Sequence, residues 1–128
     1  MKIIETATAR IWLRQDGIAQ VNVKDGVKIS PQAGNELMKA VQDVIPGKCP
    51  LIVDATQLHS ITMEAEVVLF KARNIKALAI VAPTWVARTT AENLLKSNRP
   101  LCPAKVFKYE KEAAKWLKQH IPTGFSTH

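Results

Sequence analysis

The chain has little of what most specialised sites are built from. Two cysteines among 128 residues make no disulfide framework, and no CxxC is present. Cys49 and Cys102 are each followed by proline and read as free thiols in or near the core. Neither GxGxxG nor a Walker sequence occurs, so no phosphate-cradling loop is written here. His59, His120 and His128 lack metal-ligand spacing, and neither a metal nor a cofactor is expected. Aromatic residues make up 5% of the chain and are not arranged along a groove, which argues against nucleic acid as a partner. The longest apolar run, residues 77–83, is far too short to cross a bilayer, and "MKIIETATARIWLR" has no signal-peptide core. The expectation is a soluble, cytoplasmic protein without stable membrane insertion.

Acidic residues are scarce in the second half. Residues 71–128 carry 11 Lys/Arg against 3 Asp/Glu, whereas residues 1–70 carry 7 against 8. The net charge of +7 therefore belongs to the C-terminal half. It suits either an anionic partner or a solvated basic surface that keeps the domain soluble.

What is present is a regular succession of elements. With 47% hydrophobic residues, residues 1–128 suit one domain with its own core. In "ARIWLRQDGIAQVNVKDG", apolar and polar residues alternate on either side of Asp16-Gly17, the signature of an antiparallel hairpin. Lys24-Asp25-Gly26 ends its second strand. Ser30-Pro31 opens a helix by N-cap and first-turn chemistry, with Ala33, Leu37, Val41 and Val44 as its apolar stripe and Pro46-Gly47 as its stop. Residues 50–53 form a short buried strand. A helix bearing Ala65, Val68, Leu69 and Ala72 follows, then the strand "IKALAIVAP". Thr84 can cap a helix running through Val86, Ala87, Thr90, Ala91, Leu94 and Leu95. "AKVFKY" is the last strand and "EKEAAKWLKQH" the last helix, its acids first and lysines later, as the helix dipole favours. The order β-β-α-β-α-β-α-β-α predicts an α/β fold: a five-stranded mixed sheet with an N-terminal antiparallel hairpin and helices packed on it. Function in such sheets gathers at the C-terminal ends of the parallel strands, here residues 55–62, 82–85 and 109–110.

"ARIWLRQDGIAQV", "LIVDATQLHSIT", "KSNRPLCPAKVF" and "EKEAAKWLK", in this order, resemble the STAS domain, the fold of anti-sigma-factor antagonists of the SpoIIAA type. The pattern is more similar still to small bacterial SpoIIAA-like proteins of unknown role. It spans residues 9–121. The resemblance implies a non-enzymatic, protein-binding signalling module. Antagonists of that family carry Asp-Ser-Ser/Thr-Gly at the start of the helix after this strand, with a phosphorylated hydroxyl. Here Thr62, Met63, Glu64 and Ala65 stand in its place. The acceptor falls on Met63 or Glu64, which cannot be phosphorylated, and Ser60 and Thr62 are hydroxyls slightly out of position. Glu64 reads as an ordinary stabilising first-turn acid, with a permanent negative charge in place of the phosphate as the alternative.

Asp54, His59 and Ser60 do not make a catalytic triad. His59 and Ser60 are adjacent, and no nucleophile elbow surrounds them; Asp54 reads as a loop-ordering acceptor. Trp85, at the first turn of a helix on the same rim, is either an exposed anchor or folded back on its loop. The expected docking surface for a partner protein is Asp54, His59, Ser60, Thr62 and Glu64 with Thr84, Trp85 and Arg88. Three alternatives stay open: a small amphipathic ligand such as a lipid or nucleotide, by a further likeness to CRAL-TRIO lipid-transfer domains; a small enzyme; and a homodimer through the hairpin's edge strand.

Overall fold

The structure, a computed structural model, describes residues 3–24, 28–29, 31–44, 47–56, 60–61, 75–98 and 100–119. Eight strands and three helices occur among them: β1 (Ile3–Glu5), β2 (Ala9–Leu13), β3 (Ala19–Val23), β4 (Lys28–Ile29), α1 (Pro31–Val44), β5 (Cys49–Asp54), β6 (Ser60–Ile61), β7 (Ile75–Val81), α2 (Trp85–Asn98), β8 (Ala104–Phe107) and α3 (Glu110–Lys118). The helix expected around Ala65, Val68, Leu69 and Ala72, the turn at Asp25-Gly26, and the caps at Ser30 and Pro46 lie outside the described residues.

Six strands form one mixed sheet in the order β1-β2-β3-β5-β7-β8. The first two pairings are antiparallel and the last three parallel. The sequence reading is therefore short by one strand. β1 adds itself outside the hairpin through a connection that has none of the usual turn residues. Thr6 replaces them: its hydroxyl accepts the Thr8 and Ala9 N–H groups at 3.2 and 3.0 Å, which is side-chain mimicry of a backbone turn. The hairpin's outer edge is thus already paired. A homodimer by strand addition on that side would have to use β1.

The hairpin turn follows its composition. Gly17 N–H bonds to Arg14 O at 3.1 Å and Arg14 N–H to Ile18 O at 2.8 Å. This makes a three-residue loop in which Gly17, at φ 83°, takes the left-handed position that glycine occupies without steric cost. Pro50 occupies a central strand, where proline is rare. It is tolerated because the β5–β7 register shifts between Cys49 and Pro50.

Consecutive parallel strands joined by right-handed crossovers place their connections on one face. α1 and α2 accordingly both lie on the first face, where Leu37, Val41 and Ala91 share one core with Ile11, Val21, Leu51, Leu78 and Ile80. Val86 is not part of that stripe, contrary to the periodicity reading; Ala87, Leu94 and Leu95 are. The second face is left for α3, which follows the last strand and need not cross over. Ala113, Ala114 and Leu117 lie there on Ile18, Ile52, Ala77, Ala79 and Val81. Alanines on both sides of this contact let the helix approach the strands closely. Trp116 stacks at a tilt on Phe107, ring centroids 5.6 Å apart.

Candidate functional site

The register puts the C-terminal ends of β5, β7 and β8 level with one another. Asp54 pairs with Val81, and Val81 with Phe107. The pairing continues past the strand ends: Ala55 N–H bonds to Val81 O at 3.0 Å and Ala82 N–H to Phe107 O at 2.8 Å. The chain therefore leaves these strands side by side, at Asp54, Ala82 and Phe107, and the segments that follow form one rim.

Asp54 orders its own turn. Its Oδ1 accepts the Thr56 N–H at 3.0 Å and the Thr56 hydroxyl at 2.6 Å, the carboxylate-to-backbone arrangement that aspartate favours after a strand. It also belongs to a row of second-face residues, Glu5, Arg10, Asn22, Asp54, Val81 and Phe107, that crosses the whole sheet. At the far end of that row the Arg10 guanidinium, 2.6 Å from Glu5, holds the Glu5 carboxyl below the usual carboxylate range, with Lys24 adding to the effect.

Thr84 caps α2 as its sequence position suggests. Its Oγ1 accepts the Ala87 N–H at 3.1 Å, and its carbonyl accepts the Arg88 N–H at 2.9 Å. Beyond the cap the apolar side chains point outward. Trp85 is 72% exposed and Val86 67%, which excludes a tryptophan folded onto its loop. Across the rim, two residues beyond Phe107, Tyr109 is 56% exposed. A tryptophan, a valine and a tyrosine thus stand open to water at the ends of two paired strands, near a half-buried Arg88.

Of the eight residues expected to form the surface, Asp54, Thr84, Trp85 and Arg88 come together on this rim. Ser60 lies in β6, whose partner is β4 (Lys28 opposite Ser60) in a separate two-stranded ladder. His59, Thr62 and Glu64 lie outside the described residues. Sequence reasoning missed Val86 and Tyr109 as surface residues. Val86 shares i, i+4 spacing with Thr90 and Leu94 and was read as part of the helix stripe, whereas Tyr109 was placed in a rim loop by its position but not singled out as a contact residue.

A polar cluster on this same second face was also missed. Gln20 is 4% exposed and its amide is fully used. Its Nε2 donates to Asn22 Oδ1 at 2.9 Å and to Glu110 Oε1 at 2.7 Å, and its Oε1 accepts from Arg14 Nη1 at 3.2 Å. Arg14 also pairs with Asp16 at 3.0 Å. This cluster ties the first residue of α3 to the hairpin. Among the described residues no group of three or more His, Cys, Asp or Glu could hold a metal ion. No helix among them is long and apolar enough to cross a membrane. Burial pushes both the Cys49 and the Cys102 thiols up, and the Cys49 thiol points at Gly17 O, 3.6 Å away.

The chain belongs to the family described as Domain of unknown function (DUF7793), whose model matches residues 11–121. No curated protein matches it. It is similar in structure to an uncharacterised protein from the DUF3478 family with a SpoIIAA-like fold, from Shewanella loihica PV-4. The alignment covers 85% of this chain and 91% of that one, with 17% identity and a TM-score of 0.57. A protein with unknown function from Arthrobacter sp. FB24 aligns over 89% of this chain and 95% of that one, at 22% identity and a TM-score of 0.33. The fold is SpoIIAA-like, as the order of elements led one to expect; it rests on the Shewanella protein.

Proposed function

We propose that this STAS-like domain is a non-enzymatic interaction module that docks a partner protein on the rim at Asp54, Thr84, Trp85 and Arg88. The observation that carries the reading is the exposure of Trp85 and Val86, and of Tyr109 after the neighbouring strand, at the same end of the sheet. Large side chains exposed together at one end of a rigid sheet expose apolar area that a partner can bury, and tryptophan, tyrosine and arginine are the residues that anchor interfaces most often. Thr84 and Asp54 spend their polar groups on ordering the two loops, so both present the surface rather than react. His59, Ser60, Thr62 and Glu64, which follow β5 in the sequence, complete the set of residues proposed for docking.

The module works without the hydroxyl switch of the antagonists it resembles, because residues 62–65 read Thr-Met-Glu-Ala. Its signalling state would then be set by partner concentration and not by phosphorylation at that position. Affinity capture from native lysate tests the surface. Trp85→Ala should lose the partners that the unaltered protein retains, with unfolding free energy unchanged. Retention of every partner by both Trp85→Ala and Tyr109→Ala removes the rim as the docking site.

A further inference from the structure

The second face carries a concavity that the rim does not use. It has a volume of about 480 Å³ and is lined by Arg14, Glu110, Lys111, Ala114, Lys115 and Lys118. One wall is the side of α3 that faces the hairpin. Lys111, Lys115 and Lys118 recur on it at intervals of four and three, so their stems rise from one helical stripe. All three are exposed, and none has an ion-pair partner among the described residues. Arg14 closes the opposite wall, held by Asp16 at 3.0 Å and only distantly by Glu110 at 3.9 Å. Four cations thus face a depression whose lining holds one carboxylate.

We propose that this groove binds an acidic peptide segment of a partner protein, laid alongside α3. The lysines run in a line of ~10 Å, seven residues at 1.5 Å each, and do not converge on a point. A lone phosphate would touch one or two of them, whereas a strand with carboxylates on alternate residues repeats every ~6.6 Å, close to the ~6 Å rise between Lys111 and Lys115. No ring lines the groove, so bases would find no stacking platform, and a planar membrane meets a concave surface poorly. A second copy of this chain carries +7 and is repelled on average. Residues 120–128, which follow α3, contain no Asp or Glu.

Fluorescence anisotropy with a labelled peptide alternating glutamate and alanine over ~8 residues, about 26 Å when extended, tests the assignment on the full chain. Saturable binding should appear at low ionic strength and weaken several-fold by physiological salt, since exposed charges are screened over ~8 Å there. The triple variant Lys111→Gln/Lys115→Gln/Lys118→Gln should raise Kd at least ~10-fold, the effect of losing three charge contacts at ~0.5 kcal/mol each. The glutamines keep helix propensity, and circular dichroism checks that the variant is folded. Lys115→Glu alone, a reversal at one exposed position, should already weaken binding. Peptide that does not bind the unaltered chain, or binds the glutamine variant equally, overturns the proposal. So does tighter binding of a single-stranded oligonucleotide of equal charge, or of phosphatidylglycerol vesicles, because either would mean that the lysine stripe serves a different class of polyanion.

Discussion

Leu117→Ala is the most searching perturbation of this fold, because one leucine anchors a helix that could not stand alone. α3 has nine residues, short of the ~12–15 at which even favourable helices become marginally stable in water. Its place on the second face therefore depends on packing, and Leu117, fully buried, is the largest apolar side chain it buries completely. Removing three carbons forfeits ~2.4 kcal/mol of transfer free energy at ~0.8 kcal/mol per methylene. A cavity term adds to this, and here it should be near its full size. In the same cluster Ala77, Ala79, Ala113 and Ala114 have no side chain to swing into the void, and Ile18, Ile52 and Val81 are β-branched and stiff at χ1. The expected loss is ~3–4 kcal/mol, in the middle of the range for buried leucines, against a native stability on the order of 10 kcal/mol. For 128 residues with an unfolding entropy of ~2.1 cal/mol/K per residue, the melting temperature should fall by ~13 °C. Urea unfolding followed by tryptophan fluorescence measures the loss. Its slope should stay unchanged, since the surface exposed on unfolding is nearly the same. A loss under ~1 kcal/mol would refute the claim that Leu117 is held against an unyielding floor. A shallower slope would mean that α3 has left the native state altogether.

Thr84→Ala should cost ~1 kcal/mol in the same assay and Thr84→Ser only a few tenths, because both threonine and serine accept the Ala87 N–H; equal losses would show that the methyl group matters and not the cap. Gly17→Ala should cost ~1–2 kcal/mol, since a Cβ is disfavoured at positive φ, and an unchanged urea midpoint would mean that the turn rearranges. Because burial raises both thiols, their contribution to stability is fully present below the unfolded thiol range near pH ~8.5. It is lost as pH rises toward their folded values, where the unfolded chain has already released its protons. The Cys49→Ala/Cys102→Ala protein should accordingly show a flatter urea midpoint between pH 7 and pH 9.5 than the unaltered one, and parallel curves would assign the alkaline decline to other groups.

Much of the architecture could be read from the chain because local signals and global topology agree. Asp16-Gly17, Thr84 after Pro83, and the unbroken runs of β5 and β7 each mark their element by side-chain chemistry alone. β1 was invisible because its turn depends on a threonine hydroxyl, and threonine carries no specific turn signal. Val86 was placed inward on its i, i+4 spacing with Thr90 and Leu94; the stripe that packs on the sheet runs instead through Ala87, Ala91, Leu94 and Leu95, and Val86 lies ~100° round the helix from Ala87. The rim was legible as a location, since parallel strands end where their loops begin, but the exposure of Trp85 was not. The Arg14–Gln20–Glu110 cluster joins residues 90 positions apart, and no short-range pattern predicts that.

The one-sided placement of the crossovers bears on how the molecule is made. Every strand of the main sheet is synthesised before α3, so the growing polypeptide has its second face ready before its cover exists. At ~5–20 residues per second the nine residues of that cover take about a second to emerge, while collapse of the rest proceeds in ~100 µs or less. During that interval a flat surface of alanine, valine and isoleucine is bare. A message or protease that stops the chain before Glu110 would leave it bare permanently, as a sticky slab for chaperones or aggregates to claim.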